Sequence, residues 1–173
     1  FNFCAGLPAY SGASTNLAND GTTAMFGGSD GGVGYVMTTT NGTTWTKKSA
    51  PWTNSPNWIA CNGSRFVTVG QSALTSDSSW YTDDQGDTWT SASLVGTGIS
   101  TNVWRSVIYN GGIFIAVAEN STDVSISQDG INWAKSVNNM ITGGATSIAA
   151  LENNYIAQRN TSLNTIRVGR CTG

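Results

Sequence analysis

Three carboxylates lie close together in one short stretch of the chain. The segment from Thr82 to Trp89 reads TDDQGDTW and holds Asp83, Asp84 and Asp87 beside a glycine. Clustered carboxylates can act as a general acid and base, or they can bind a cation. They can also accept backbone hydrogen bonds in a turn, which is a structural role. The rest of the sequence favours the turn.

A related segment occurs three times along the chain. Three tryptophans recur at a spacing of 44 residues: Trp45, Trp89 and Trp133. Each follows a glycine by three residues: Gly42, Gly86 and Gly130. The residue before each glycine varies: Asn41, Gln85 and Asp129. A constant period of this length indicates repeated structural units, and a turn former, unlike a catalytic acid, can be exchanged for an amide between sister copies.

The segment from Thr82 to Trp89 resembles the Asp-box (BNR) repeat, Ser/Thr-x-Asp-x-Gly-x-Thr-Trp, at every position, with Asp84 as its aspartate. In the first copy Thr40 stands in place of that aspartate. The third copy reads Ser-x-Asp-Gly-x-x-Trp, a shortened form similar to repeats of phage tail and bacterial surface proteins. The resemblance implies a β-propeller turn. It implies no particular activity, because Asp boxes occur in sialidases, lectins and sorting receptors.

The composition excludes several function classes. Charged residues make up 10% of the chain, where a quarter is usual, and there is no histidine. Catalysis by a histidine base and metal sites with histidine ligands are therefore excluded, and we expect no cofactor. The net charge is −2 and the eight Lys and Arg residues are scattered, which argues against nucleic-acid binding. No apolar run approaches the roughly 18 residues of a membrane span.

Turn residues between apolar runs predict four β-hairpins, around Asp20-Gly21, Asn62-Gly63, Asn110-Gly111 and Asn153-Asn154. Each unit is expected to contain a hairpin followed by two further strands joined by the Asp-box turn. At 44 residues a unit, the 173 residues hold four units. We therefore predict an all-β fold, a small β-propeller with four blades of four antiparallel strands. It would be a single domain over residues 1–173, with blades at about 14–49, 57–92, 103–137, and 146–171 plus 1–6.

The fourth unit has no Asp box, so its last strand is expected to come from residues 1–6, as in propellers that complete the last blade from the other terminus. Cys4 would then lie beside Cys171, and we predict a disulfide between them, with Cys61 free. Such a bond implies an oxidising, extracellular setting. The alternative is an incomplete propeller that belongs to a larger ring or closes only by association. The first residue is phenylalanine, which predicts a processed product or a piece of a longer chain.

The longer, irregular loops, which include Gly28 to Gly32, are expected at the end of the blades opposite the Asp-box turns, where binding residues concentrate. Trp52 and Asn54 lie in a polar, proline-bounded loop of this kind. An exposed Trp52 would offer a platform for a sugar ring, and the alternative is that it folds back on the core. Asp30, Asp77 and Asp123 fall in successive loops at the same end. They could accept hydrogen bonds from sugar hydroxyls or bind a cation, or they could be solvated loop acids.

These features predict an extracellular, non-catalytic module that binds glycans or another cell-surface receptor, for example at the tip of a phage tail fibre. A structural subunit of a fibre or surface appendage, through self-assembly or attachment to a larger fibre, is one alternative. A glycosidase or sialidase-like enzyme is the other. A sialidase needs an arginine cluster and a Tyr–Glu pair, whereas this chain has five arginines at non-equivalent positions and two glutamates, Glu119 and Glu152. We therefore expect no enzymatic activity.

Overall fold

The computed structural model describes residues 15–70, 79–92, 94, 103–119, 121–122, 124–136, 144–151, 154–158 and 166–170. Over these ranges the chain forms strands and turns and no helix, which confirms the predicted all-β class. Accordingly, the described part of the chain offers no helix with the length and apolarity that a membrane crossing requires.

The described strands form four antiparallel sheets, each with its strands in chain order. Sheet 1 contains β1 (Ala18–Asn19), β2 (Ala24–Asp30), β3 (Val33–Thr39) and β4 (Thr46–Ser49). Sheet 2 contains β5 (Trp58–Cys61), β6 (Phe66–Val69), β7 (Ser79–Thr82) and β8 (Thr90–Ala92). Sheet 3 contains β9 (Trp104–Asn110), β10 (Ile113–Ala118), β11 (Val124–Ser127) and β12 (Ala134–Lys135). Sheet 4 contains β13 (Ser147–Leu151), β14 (Asn154–Gln158) and β15 (Ile166–Arg170); the strand predicted at 1–6 lies outside the described residues.

The second strand of sheet 1 is longer than the sequence indicated. We expected an irregular loop from Gly28 to Gly32, but β2 continues to Asp30, which pairs with Val33. Only Gly31 and Gly32 turn the chain, with φ of 58° and 82°. Two successive residues at positive φ form the tight turn that suits a β-hairpin. The expected loop is wrong because the earlier glycines belong to the strand.

A side-chain oxygen shapes the hairpin between the first two strands of sheets 1 and 2. In sheet 1, Asp20 Oδ1 accepts hydrogen bonds from the backbone N–H groups of Thr22 (2.8 Å) and Thr23 (2.6 Å). Asn62 Oδ1 does the same in sheet 2 for the two residues that follow Gly63. These contacts satisfy backbone donors that the turn would otherwise leave unpaired.

The first strands of successive sheets lie side by side, because β1 contacts β5, β5 contacts β9, and β9 contacts β13. Between sheets 1 and 2, one amide side chain replaces a strand partner. Asn16 Nδ2 donates to the backbone oxygen of Ile59 at 3.0 Å, and Asn16 Oδ1 accepts from the backbone nitrogen of Ile59 at 2.8 Å. The sheets are therefore joined in chain order through their first strands.

A cluster of buried apolar side chains fills each junction between sheets. The junction of sheets 1 and 2 includes Met25, Val36, Ile59 and Phe66. The junction of sheets 2 and 3 includes Val67, Val69, Trp104 and Phe114. The junction of sheets 3 and 4 includes Ile115, Val117, Ile148 and Tyr155. Alternate residues of β10 thus face two different junctions, as side chains of a strand buried between sheets must.

The turn between the third and fourth strands packs on the preceding sheet. A Cβ atom built on Gly86, in the turn of sheet 2, would lie 3.0 Å from Val36 Cγ2 of sheet 1. On Gly130, in the turn of sheet 3, it would lie 2.6 Å from Val67 Cγ2 of sheet 2. Both glycines have positive φ, at 88° and 75°. The backbone conformation therefore favours glycine at both positions, and the close approach to Val67 requires it at Gly130 as well.

This packing predicts different costs for the same substitution in two turns. Gly42 has φ of 73°, yet a Cβ atom there would meet nothing within 4 Å. Gly42→Ala should lower the free energy of unfolding by about 1–2 kcal/mol through backbone strain alone. Gly130→Ala should lose about 1–3 kcal/mol more, because the new methyl group collides with Val67. Urea unfolding of both variants measures the difference, and equal losses would contradict the packing of the turn on sheet 2.

Candidate functional site

The carboxylate of Asp84 is used inside its own turn. Thr82 Oγ1 donates to Asp84 Oδ1 at 2.7 Å and accepts from the backbone nitrogen of Gly86 at 3.0 Å. The backbone nitrogen of Thr88 donates to Asp84 Oδ1 at 2.9 Å, and the hydroxyl of Thr88 donates to Oδ2 at 2.5 Å. Both carboxylate oxygens therefore have partners within five residues of the chain.

The same arrangement recurs in sheets 1 and 3. Asn41 Oδ1 accepts from the backbone nitrogens of Thr43 and Thr44 at 2.9 and 2.8 Å. Asp129 Oδ1 accepts from those of Ile131 and Asn132 at the same two distances. A hydroxyl two residues earlier, from Thr39 or Ser127, donates to the Asn41 or Asp129 oxygen and accepts from the turn glycine.

The structure corrects the alignment of the three turns. The equivalent positions are Asn41, Asp84 and Asp129, so Asn41 and not Thr40 takes the place of the Asp-box aspartate in the first copy. Gln85 is an additional residue in the second turn, where it has φ of 58°. Counting back from tryptophan aligned Gln85, and not Asp84, with Asn41 and Asp129. The count failed because the second turn has one more residue between its aspartate and its glycine.

Hydrogen bonds keep these carboxylates ionised. Burial raises the pKa of Asp84, but the hydrogen bonds from Thr88 and Thr82 outweigh it and lower the pKa to about 2. Burial also raises the pKa of Asp129, and the bonds from Asn132, Ile131 and Ser127 lower it to well below its usual range. A general acid at neutral pH needs a raised pKa. The two aspartates therefore lack the property that would make them proton donors.

Arg65 joins the other end of this carboxylate cluster to the next sheet. Its Nε and Nη2 atoms donate to the two oxygens of Asp83, both at 2.6 Å. Its Nη1 atom donates to the backbone oxygen of Asp129 at 2.5 Å, in the turn of sheet 3. The guanidinium carbon lies 4.8 Å from the ring centre of Tyr81.

Lys48 makes the corresponding link between sheets 1 and 2. Its Nζ atom lies 2.9 Å from Asp87 Oδ1 and donates to the backbone oxygen of Gln85 at 3.0 Å. With Asp84 held in its turn and Asp83 bound to Arg65, each carboxylate of TDDQGDTW has a protein partner. The cluster thus connects three neighbouring sheets.

The sequence left open whether Trp52 is exposed for ligand binding or folds back on the core, and the structure shows that it folds back on the core. Its side chain is 7% exposed and belongs to the apolar junction of sheets 1 and 2. Its Nε1 atom donates to the backbone oxygen of Gly28 at 2.8 Å, and its ring meets that of Trp89 edge-on at 5.0 Å. A Cβ atom on Gly34 would collide with the backbone of Trp52. The glycines of sheet 1 therefore let this loop lie directly on the strands, and the indole fills the space beneath it.

The other two repeat tryptophans also pack on aromatic neighbours. The ring centre of Trp45 lies 5.4 Å from that of Phe26, and Trp133 lies 6.4 Å from Phe114. Trp133 is buried, whereas Trp45 is partly exposed.

The loop beside Trp52 nevertheless leaves polar groups at the surface. Thr53 and Asn54 are exposed, and so is Asp30 at the end of β2. The hydroxyls of Ser29 and Ser55 lie 2.9 Å apart and join the loop to that strand.

Asp77 and Asp123 lie outside the described residues, so Asp30 is the one candidate loop aspartate that the structure describes. Within the described ranges no group of three or more His, Cys, Asp or Glu side chains is placed to hold a metal ion.

The cysteines are described in part. Cys61 is a free thiol, as expected. Burial raises its pKa, which disfavours the reactive thiolate. Cys4 and Cys171, the predicted disulfide pair, lie outside the described residues.

Sequence reasoning missed a polar hollow at the Asp-box end of sheet 1. This hollow has a volume of about 360 Å³, and threonines make up most of its lining. A second hollow of about 350 Å³ lies beside the Asp-box turn of sheet 3 and is lined partly by isoleucines. The one sequence signal for the first was the density of threonine between residues 38 and 46.

No protein-family model matches the sequence, and no curated protein matches it. Solved structures share the fold. The chain superposes on the computationally designed Ika4 protein with a TM-score of 0.70 at 11% identity, covering 99% of each chain. For the computationally designed Ika8 protein the TM-score is 0.66 at 11% identity, over 95% of this chain and 48% of that one. A chain of a nidogen/laminin complex gives 0.58 at 16% identity, over 83% of this chain and 55% of that one. At these identities the likeness concerns the fold alone.

The sister turn in sheet 1 provides a control for the role of Asp84. Asn41 makes the equivalent backbone contacts without a charge, so Asp84→Asn should keep most of the stability. Asp84→Ala removes the acceptors of Thr88 and Thr82 and should lower the free energy of unfolding by about 1 kcal/mol or more. Asp30→Ala, at an exposed strand end, serves as the control in chemical denaturation. Equal effects of Ala and Asn at position 84 would refute the turn role.

Proposed function

We propose that this chain is a non-catalytic, extracellular recognition module of the β-propeller type that binds glycans or another cell-surface receptor. The observation that carries the proposal is the loop from 51 to 55, which is anchored through buried Trp52 and presents Thr53 and Asn54 outward. Binding residues commonly lie on loops that a rigid sheet scaffold holds in place. A pre-positioned loop also loses less conformational entropy when a ligand binds.

The succession of sheets supports the propeller. Four meandering sheets follow one another, their first strands lie side by side, and the turns of sheets 2 and 3 pack on the sheet before. This order suits blades arranged around an axis with the first strands innermost. A closed ring further requires contact between sheets 4 and 1, for which we propose completion by residues 1–6 and the Cys4–Cys171 bond.

The engagement of charged groups supports a non-catalytic role. The pKa of Asp20, like those of Asp84 and Asp129, lies below its usual value. Burial raises this pKa, but the backbone hydrogen bonds from Thr23 and Thr22 lower it by a larger amount. Arg105 Nε donates to Glu119 Oε2 at 2.7 Å. Arg65 is likewise paired with Asp83, so each of the two described arginine side chains has a carboxylate partner. A sialidase would need arginines directed at a substrate carboxylate instead.

A glycan array tests the proposal with three proteins. We expect the wild type to bind a defined set of glycans without cleaving them, and Asp30→Ala/Asn54→Ala to bind at least tenfold more weakly at unchanged stability. Tenfold corresponds to about 1.4 kcal/mol, a modest loss for two polar contacts. Thr90→Ala is the matched control, because Thr90 is exposed and lies beside the Asp-box turn of sheet 2, away from the anchored loop.

Three outcomes would contradict the proposal. Cleavage of a bound glycan would make the protein an enzyme. Ordered assembly without binding to any glycan or cell surface would make it a structural fibre subunit. Binding that the Asp30/Asn54 double variant leaves unchanged would move the site away from the anchored loop.

A further inference from the structure

A small surface beside the Asp-box turn recurs in the first three sheets. In each sheet it is formed by one residue from each of three neighbouring strands, and strand register identifies these residues. On the third strands the equivalent residues are Thr38, Tyr81 and Ile126, since these pair with Met25, Val67 and Ile115. On the fourth strands they are Thr46, Thr90 and Ala134, which pair with the first set. A third set of equivalent residues directly follows the hairpin turn, where the second strand begins: Thr23, Arg65 and Ile113.

The chemistry of this surface differs between the sheets. In sheet 2 the side chain of Arg65 covers it and lies over the ring of Tyr81. In sheet 3 Ile113, Ile126 and Ala134 line an apolar hollow. In sheet 1 the corresponding residues are all threonines, and the hollow stays open. The fold thus accepts a cation, aliphatic groups or hydroxyls here, so folding alone does not account for the threonines.

Two of these threonines are buried, and the hydroxyl of one of them lacks a hydrogen-bond partner. Thr23 is 3% exposed and Thr38 is 6% exposed. Thr23 Oγ1 has no hydrogen-bond partner among the described residues. A buried hydroxyl without a partner destabilises the folded state, whereas the isoleucines of sheet 3 avoid this loss. A ligand that supplies the missing hydrogen bond would account for the threonine.

The remaining lining defines the chemistry of such a ligand. Thr44 and Thr46 are exposed at the rim, and the amide of Gln85 reaches in from the turn of sheet 2. Hydroxyls and amides both donate and accept, and threonine methyl groups offer apolar contacts to C–H bonds. Lys48, the cation in the lining, is already paired with Asp87 at 2.9 Å. The volume of about 360 Å³ falls in the range of small-molecule sites.

We propose that the hollow of sheet 1 binds a neutral pyranose sugar through the hydroxyls of Thr23, Thr38, Thr44 and Thr46. This site lies at the opposite end of sheet 1 from Asp30 and is separate from the anchored loop. It therefore goes beyond the recognition function proposed above, and either site can fail without the other.

The chain itself provides the variants for a test. Thr23→Ile/Thr38→Ile copies the residues that sheet 3 carries at the same positions. Thr23→Val/Thr38→Val removes only the hydroxyls and serves should the larger side chains disturb folding. Thr90→Val, the surface equivalent of Thr46 in sheet 2, is the control. The probes are free glucose, galactose, mannose and N-acetylglucosamine, with N-acetylneuraminic acid as the charged comparison.

Methyl NMR titration reads out both the place and the strength of binding. We expect at least one neutral sugar to shift the methyl signals of Thr23, Thr38 and Thr44, and both double variants to weaken that sugar at least tenfold while Thr90→Val does not. The proposal is overturned if no neutral sugar shifts these signals. It is equally overturned if a folded double variant binds as the wild type does, or if only N-acetylneuraminic acid binds. Sugar shifts confined to the loop around Asn54 would refute this site and leave the recognition module intact.

Discussion

A single side-chain oxygen organises each Asp-box turn, and the packing of one sheet on the next depends on it. The oxygen of Asn41, Asp84 or Asp129 accepts the backbone N–H groups that the turn leaves unpaired. The chain then reverses within a few residues and carries glycine at positive φ at the vertex. In sheets 2 and 3 that glycine lies against the preceding sheet, with little room for a Cβ atom at Gly86 and none at Gly130. A local hydrogen bond therefore sets a contact between distant parts of the chain.

The repeats divide into positions that hold the scaffold and positions that differ in chemistry. The turn oxygen, the glycine and the tryptophan recur in all three copies. Beside them, one position carries threonines in sheet 1, Arg65 in sheet 2 and isoleucines in sheet 3. Since the same backbone tolerates all three, these side chains are free to serve binding. On a repeat scaffold, such differences between copies mark the positions at which function can differ.

Much of the fold follows from the sequence because its signals are local. The spacing of the tryptophans and the Asx-Gly hairpins predict antiparallel units, and hydrogen bonds within a few residues form each turn. The position of Trp52 is not local. Its burial depends on Trp89, contributed by the next unit, and on glycines of β2 and β3 that leave space for its loop. Gly28, whose backbone oxygen accepts from Trp52 Nε1, was mistaken for part of a loop, although glycine inside a strand often marks the close approach of another backbone. The threonine hollow was missed because it forms only once the strand register is known.

The acidic cluster of this protein builds structure, because each of its carboxylates has a partner within the fold. A depressed pKa stabilises the fold above the unfolded value near 3.9, and that stabilisation is lost as the pH falls through the folded value. Asn41 holds the sister turn without any titrating group. Side-chain ¹³C NMR of the aspartate carboxyl groups measures the pKa of each residue in the cluster. We expect Asp84 to titrate near pH 2 and Asp129 to titrate below its usual range. A midpoint above the unfolded value for either residue would refute the structural role of the cluster and return it to the candidates for an active site.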